Sequence, residues 1–324
     1  MNVTTIEGKC FESIADFSIL DNAINSGLVL EHSCKTGLCG VCKTNLLEGR
    51  VKILQEQSAL TAEELENNKI LTCCCEAETD ILIDAVDLEM FQGLETKVFP
   101  ARIKSLEKLS DSIMRVVLRL PPNANFNFLE GQFVDVIWNG IKRSYSLAST
   151  SEHKGIELLV KRVETGLMSD YWFFQAKEND LLRIEGPKGT FVLRSMDKPV
   201  VFLATGTGIA PVKAILEKLE SHSIFSQQIY VFWGNRYAKD FIWSNSFNNI
   251  KVKLINTLSK RDDNWNGEYG YVQDIAPKVV VEDISNCQVY ACGSYEMIQA
   301  AKSKLISLGL DETQFYSDAF VQSK

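Results

Sequence analysis

Cys34-Lys35-Thr36-Gly37-Leu38-Cys39-Gly40-Val41-Cys42, followed downstream by Cys73-Cys74-Cys75, decides how the first third of this chain is read. Three cysteines spaced C-x4-C-x2-C with a distant fourth are the ligand pattern of a 2Fe-2S cluster. Four thiolates must converge on two irons, three from one tight loop and one from a remote strand end. Gly37 and Gly40 suit that loop, because backbone wrapped closely on an inorganic core needs conformations that side chains resist. The sulfides also call for inward N-H donors, which a loop of small residues supplies. Structural zinc pairs short-spaced ligands, CxxC with CxxC or HxxxH, so a solitary fourth cysteine fits zinc poorly. On the residues alone, any of Cys73, Cys74 and Cys75 could be that fourth thiol.

The composition is that of a globular chain. It has 324 residues, 45% of them apolar and 23% charged, enough for two or three domains. The start, Met1-Asn2-Val3-Thr4-Thr5-Ile6-Glu7, has no basic segment leading into an apolar stretch, so no secretory signal is expected. No apolar run reaches bilayer length. Nine cysteines, several of them assigned to a reduced cluster, suit the reducing cytoplasm. The net charge of -8 is uneven, with 16 acidic against 6 basic residues up to position 94. Such a face either steers the cluster-bearing module to a basic partner or simply aids solubility. It disfavours nucleic acid.

Three modules follow one another: 1-93, a linker over 94-100, then 101-195 and 196-324. In the first, Ser18 with Asp21 three residues on caps a short helix carrying Ile19, Leu20, Ala23 and Ile24, and Gly27 ends it. Thr44 to Leu47 with the Glu48-Gly49 turn reads as a hairpin, and Ile83 or Val86 closes the last strand. The second alternates β-rich runs, Met114 to Leu120, Gly131 to Trp138, Ile156 to Val163 and Leu181 to Ile184, with a first strand opening at Arg102. Turn signals at Pro121-Pro122-Asn123 and Gly186-Pro187 between such runs predict a small antiparallel barrel. The third opens with Pro199 to Ala204, a continuous apolar run suited to a parallel strand buried on both faces. Strands at Gln228 to Trp233, Lys251 to Asn256 and Gln288 to Cys292 then alternate with helices, the order of an α/β sheet.

Arg143-Ser144-Tyr145-Ser146 ends a barrel strand, and Gly166-Leu167-Met168-Ser169 follows another. Arginine suits a dianionic phosphate bridge and an aromatic suits a flat ring. Gly166 permits a turn, and Ser169 is placed to cap the following helix with its N-terminus toward phosphate. With Gly186 to Phe191 closing the barrel, these motifs resemble the ferredoxin reductase family, preceded here by a module that resembles the β-grasp of plant-type ferredoxins. The resemblance implies FAD, with Arg143 on the pyrophosphate, Tyr145 on the isoalloxazine, Ser144 within the same motif, Ser146 facing the reactive ring edge, and Gly166, Leu167, Met168 and Ser169 at a second phosphate. It also implies Cys73 as the fourth cluster ligand beside Cys34, Cys39 and Cys42. Cys10, Cys74, Cys75 and Cys287 are then small fillers.

Thr205-Gly206-Thr207-Gly208-Ile209-Ala210-Pro211 lies between the buried strand and the helix over Val212 to Leu219. A strand, a glycine turn and a helix start make a pyrophosphate cradle. Pro211 replaces the third glycine of the usual fingerprint and is harmless in a first helical turn. The same segment resembles the family's nicotinamide site. So do Cys292-Gly293-Ser294-Tyr295-Glu296-Met297 and the terminal Phe315 to Phe320, which imply catalytic roles near the nicotinamide for Ser146, Cys292, Asp318 and Phe320. NADH is expected over NADPH, although Arg236 and Lys239 could grip a 2'-phosphate or form a solvated helix start.

The whole chain, in module order, resembles an electron converter taking NADH through FAD and a 2Fe-2S cluster to a protein acceptor. Ile70 to Cys74, Arg183 to Pro187 and Phe315 to Phe320 resemble the branch serving CDP-3,6-dideoxyhexose synthesis, whose acceptor is a pyridoxamine-phosphate-dependent dehydrase. The reductase of a multicomponent oxygenase is the alternative, and a redox sensor built on FAD and cluster a second.

Overall fold

The computed structural model describes residues 1–244, 246–280 and 283–320. The chain divides into two compact units, Met1–Leu94 and Glu95–Lys324.

The first unit is a β-grasp. Strands β1 (Asn2–Thr5), β2 (Cys10–Glu12), β3 (Lys43–Glu48), β4 (Val51–Ile53), β5 (Lys69–Leu71), β6 (Cys75–Ala77) and β7 (Ile81–Ile83) accompany helices α1 (Ile19–Asn25) and α2 (Ala62–Glu66). Five strands form one sheet in the order β2-β1-β7-β3-β5, in which β1 and β7 run parallel. Ser18 caps α1 by accepting from the Asp21 N-H, as its spacing predicts, a contact typically contributing about 1 kcal/mol. Ile19, Leu20 and Ala23 then pack with Val3, Leu71 and Ile83 in the core. The hairpin expected at Glu48-Gly49 does not form as a pair: β3 bonds to β5 and β7, and β4 crosses to β6 in a separate ribbon. A register shift between Leu46 and Glu48 turns the chain away there. Cys10, read as a filler, is exposed, whereas Cys74, Cys75 and Cys287 are buried.

In the second unit, β8 (Lys97–Lys108), β9 (Ile113–Arg119), β10 (Phe133–Trp138), β11 (Ile141–Ser146), β12 (Ile156–Lys161) and β13 (Leu181–Lys188) form an antiparallel sheet in the order β11-β10-β13-β8-β9-β12. A bridge between Leu147 and Leu158 joins its two ends and closes the barrel. The strand expected from Arg102 begins at Lys97, because Lys97 to Pro100 pair with Arg183 to Gly186. Those four residues belong to the barrel and not to a linker. Helix α3 (Leu167–Asp170) and the π-helical turn Tyr171–Gln175 press Met168, Tyr171 and Trp172 into the same core as Val134, Val136 and Leu158.

A second sheet, entirely parallel, follows. Strands β14 (Val200–Thr205), β15 (Gln228–Asn235), β16 (Lys251–Leu258), β17 (Glu268–Tyr269), β18 (Gln288–Ser294) and β19 (Phe315–Phe320) lie in the order β17-β16-β15-β14-β18-β19. Helices α4 (Ile209–His222), α5 (Val272–Val279) and α6 (Tyr295–Ser307) connect them. Helix α4 starts three residues before Val212, directly behind the 3-10 turn Gly206–Gly208. The order reverses between β14 and β18, so the carboxyl ends of those strands diverge into a crevice. Barrel and parallel sheet are fastened together by a buried ionic group. Lys213 of α4 meets Glu157 of β12 at 3.3 Å and the Ala148 carbonyl at 2.7 Å, and Arg115 of β9 holds the other Glu157 oxygen at 2.8 Å. No helix among the described residues is long and apolar enough to cross a membrane.

Candidate functional site

The cysteine run sits in the loop between α1 and β3, and Cys73 sits in the turn between β5 and β6. The four thiols fall into two pairs. Cys42 Sγ donates to Cys73 Sγ at 3.3 Å, and Cys39 is aimed at Cys34, whose Sγ also accepts from the Thr36 N-H at 3.3 Å. The Cys39 thiol pulls Cys34 below the ordinary thiol range, and the Cys42 thiol, joined by Cys74, does the same for Cys73. In each pair one thiol is thereby the more acidic, and the thiolate is the form that ligates metal. No three of the described His, Cys, Asp or Glu side chains converge on a single ion. Two pairs are what two irons need, whereas one zinc needs four ligands at one point. Gly37, at φ +75°, is held so close that a Cβ would lie 2.3 Å from the Glu56 carbonyl oxygen.

The neighbouring thiols have other partners. Cys75 points at Gln57 Oε1, 3.3 Å away, and Cys74 at the Glu56 carbonyl, 3.6 Å away. Cys74 also lies 3.5 Å from Cys73 Sγ.

The flavin motif occupies β11. Tyr145 accepts from the Trp172 indole N-H at 3.0 Å, and burial pushes its phenol up to about 12. Tyr145 is thereby a neutral, oriented ring on the barrel surface. Arg143, on the same side of the strand, makes one hydrogen bond among the described residues, to the Lys142 carbonyl at 2.7 Å. The remainder of its guanidinium suits an anion. Ser144 donates to Asp135 at 2.5 Å, and Ser146 is buried. In the companion loop, Ser169 is not a cap. Gly166 holds the N-cap position of α3, and Ser169, inside the helix, accepts from the Val163 N-H at 2.7 Å. It ties the loop to the end of β12. Met168 is buried, and Leu167 is exposed.

The third constellation is a cleft of about 600 Å³ at the carboxyl ends of the parallel strands. Thr205 to Thr207, Ser294 and Phe320 line it, as the sequence proposes, together with Asn235 at the end of β15 and Arg236 after it. Its floor depends on glycine. A Cβ on Gly208 would lie 2.2 Å from the Cys292 carbonyl oxygen, and one on Gly293, at φ +146°, 2.0 Å from Thr205 Oγ1. Ser294 N-H donates to that hydroxyl at 3.3 Å, and the Trp233 indole donates to the Gly206 carbonyl at 2.8 Å. Pro211, the third residue of α4, is buried in the helix. Gln273 lines the cleft, and its Oε1 is buried without a hydrogen-bond partner. Such an acceptor requires a donor, and a dinucleotide's hydroxyl and amide groups offer several.

Other assigned residues stand back from the cleft. Cys292, Gly293 and Asp318 do not line it. Cys292 belongs to the core, level with Asp318 on β19, and burial, with that carboxylate adding, pushes its thiol up so that it stays protonated. Lys239 is paired with Asp111 at 2.6 Å, which raises the amine and lowers the carboxyl. Only Arg236 of the expected pair therefore reaches the cleft. Sequence reasoning missed Lys161, Ser259, Tyr271 and Gln273. The turn Gly270-Tyr271 ahead of α5 was a legible signal for the last two, since it repeats the strand, turn and helix-start pattern of the first cradle.

Comparison with known proteins matches a family to each of the three parts of the chain. Residues 4–78 match the family "2Fe-2S iron-sulfur cluster binding domain", residues 100–193 "Oxidoreductase FAD-binding domain" and residues 202–303 "Oxidoreductase NAD-binding domain". The chain belongs to the iron-sulfur flavoprotein members of the ferredoxin reductase family, NAD(P)H-dependent oxidoreductases that carry FAD and a 2Fe-2S cluster. Within it, the chain is 40% identical to the CDP-6-deoxy-L-threo-D-glycero-4-hexulose-3-dehydrase reductase of Yersinia pestis, over 98% of this chain and 97% of that one. It is 39% identical to protein RfbI of Salmonella typhimurium, over 97% and 94%. Among solved structures, the Amycolatopsis cytochrome P450 reductase GcoB shares the fold, with a TM-score of 0.74 and 24% identity over 99% of this chain and 98% of that one.

Proposed function

We propose that this protein is the NADH-dependent reductase of a cytoplasmic CDP-3,6-dideoxyhexose pathway, and that its acceptor is a pyridoxamine-phosphate-dependent dehydrase. The observation that carries this reading is the 40% identity, over nearly the full length of both chains, to a reductase named for that dehydrase. When bound, NADH supplies a hydride to FAD, and the cluster passes the electrons on one at a time.

The chain's own residues bind and orient. Thr205 to Gly208 and the start of α4 cradle the dinucleotide pyrophosphate, and Gln273 and Arg236 take its polar edge. Arg143 neutralises the flavin pyrophosphate, with Gly166 to Ser169 shaping the second phosphate contact through backbone. Tyr145, fixed by Trp172, packs on the flat ring. Ser144, bonded to Asp135, keeps the strand in place, and Ser146 faces the reactive edge. Phe320, 42% exposed at the cleft, would shield the flavin ring on the side from which the nicotinamide approaches. Cys292, as a neutral thiol, and Asp318 shape the nicotinamide pocket from behind. Cys34, Cys39, Cys42 and Cys73 hold the cluster. NADH is preferred because Lys239 is engaged by Asp111, leaving one arginine where a 2'-phosphate would call for more.

Reconstitution with a purified dehydrase and its CDP-hexulose substrate tests the reading. The expected result is NADH oxidation and sugar deoxygenation in equal amounts, with NADPH slower. NADH-driven turnover of an oxygenase component, with none by the dehydrase, would overturn it.

A further inference from the structure

The turn that joins β8 to β9 in the barrel reaches the nucleotide sheet. Ser110 Oγ and Ser112 Oγ donate to the same oxygen, Asp240 Oδ1, at 2.8 and 2.9 Å. The turn is braced by the Ser112 N-H, which donates to Ser110 Oγ at 3.2 Å. Asp240, only 4% exposed, ends the 3-10 turn Ala238–Asp240. Asp240 does not line the cleft, but Asn235, which it holds, does. Its carbonyl accepts from Asn235 Nδ2 at 3.4 Å, and the Asn235 carbonyl accepts from the Ser259 N-H at 3.0 Å. Asn235, Arg236 and Ser259 all line the cleft. The next residue, Phe241, packs edge-on against Trp233 at 5.2 Å, the ring whose indole fixes Gly206.

Lys239 and Asp111 also bridge the two elements, but their side chains are 56% and 73% exposed. An exposed ion pair of that kind contributes little. A buried carboxylate bonded by two hydroxyls contributes more, because truncating it leaves the two hydroxyls with only each other, 3.3 Å apart, in place of a charged acceptor.

We infer that Asp240 is a positioning residue for the dinucleotide: the barrel turn holds Asp240, and Asp240 sets Asn235, Arg236 and Ser259 at the rim. The assignment rests on the dinucleotide reading of that cleft. It makes a barrel loop remote in sequence part of the coenzyme site. Because the rim contacts the dinucleotide alike in the ground and transition states, losing its placement raises KM with little change in kcat.

The test uses the full-length holoprotein, with NADH oxidation by ferricyanide, flavin and cluster absorbance, and thermal midpoints. Asp240→Ala and Ser110→Ala/Ser112→Ala should each raise KM for NADH between five- and thirtyfold, with kcat within threefold and flavin and cluster content intact. Combining them should be no worse than Asp240→Ala alone, since all three groups act through one contact. Asp240→Asn keeps an acceptor oxygen and should restore most of the affinity. Arg236→Ala separates the two levels. If it leaves KM unchanged, the dinucleotide reading of the rim fails. If it raises KM while the serine pair and Asp240→Ala do not, the positioning role alone fails. Loss of flavin, or of kcat in step with stability, in the serine pair would also overturn it, by showing a purely structural contact. The serine variant carries the test even where Asp240→Ala does not fold.

Discussion

Replacing Gly208 by alanine adds one methyl group and should open the coenzyme cleft. The backbone at Gly208 is right-handed, with φ -61° and ψ -10°, so alanine meets no conformational penalty there. The effect is steric. The new Cβ would stand 2.2 Å from the Cys292 carbonyl oxygen, 2.7 Å from its carbon and 3.2 Å from Gly293 Cα. All three are backbone atoms of β18, so no side chain can swing aside, and the turn Gly206–Gly208 and β18 must part by about 1 Å to restore ordinary contact. The Ser294 to Thr205 hydrogen bond, already 3.3 Å, lies across that gap and would be lost. Overpacking of this kind costs about 1 to 3 kcal/mol. If it falls wholly on the cleft, affinity for NADH drops roughly 5- to 150-fold. The assay is steady-state NADH oxidation with ferricyanide, beside the visible spectrum of flavin and cluster. KM should rise within that range while both chromophores keep wild-type occupancy, because barrel and first unit hold them. Gly140→Ala is the control. Its φ is +79° and nothing lies within 4 Å of the new Cβ, so it should cost about 1 to 2 kcal/mol of stability and leave KM alone. A Gly208→Ala protein with wild-type stability and wild-type KM would refute the reasoning.

Three further outcomes follow from other parts of the molecule. Cys39→Ser should abolish the cluster's paramagnetic signal on reduction and the one-electron reduction of a protein acceptor, while ferricyanide reduction through the flavin persists; intact cytochrome reduction without a cluster signal would contradict it. Lys213→Met should lower the unfolding free energy by about 3 kcal/mol, measured by denaturant titration, because Glu157, 4% exposed, would keep only Arg115. Glu185 is held below the usual carboxylate range, first by Lys142 and then by Lys188. A depressed carboxyl stabilises the fold above its unfolded pKa and loses that contribution as pH falls through the folded value. The stability gap between wild type and Glu185→Gln should thus be open at pH 7 and close progressively below about pH 4, as followed by thermal melts across pH.

Signals with strict local chemistry were legible in the sequence. The cysteine spacing, the Ser18 cap and the glycine turn after β14 each express a constraint carried by a few adjacent residues. What depended on distant partners was not. Nothing near Glu48 shows that β4 pairs with β6 and not with β3, because that choice is made by Cys75 to Ala77 across the unit. Ser169 carries the identity of a cap, yet its hydroxyl serves Val163. Lys239 looked free for a phosphate, and only folding brings Asp111 to it. The rim residues Lys161, Ser259 and Gln273 belong to different elements, and their convergence follows from sheet order.

The division of the chain into two units between Leu94 and Glu95 bears on how such proteins diversify. The first unit has its own core and carries the match to the 2Fe-2S cluster binding domain. Coenzyme use is confined to the second. Substitutions on the outside of the first can therefore be sampled by selection for a new acceptor while the hydride chemistry stays under separate constraint. The acidic bias gathered in residues 1 to 94 is then the part of the chain where divergence between relatives should concentrate, and exchange of that segment the economical route to a reductase with a different client.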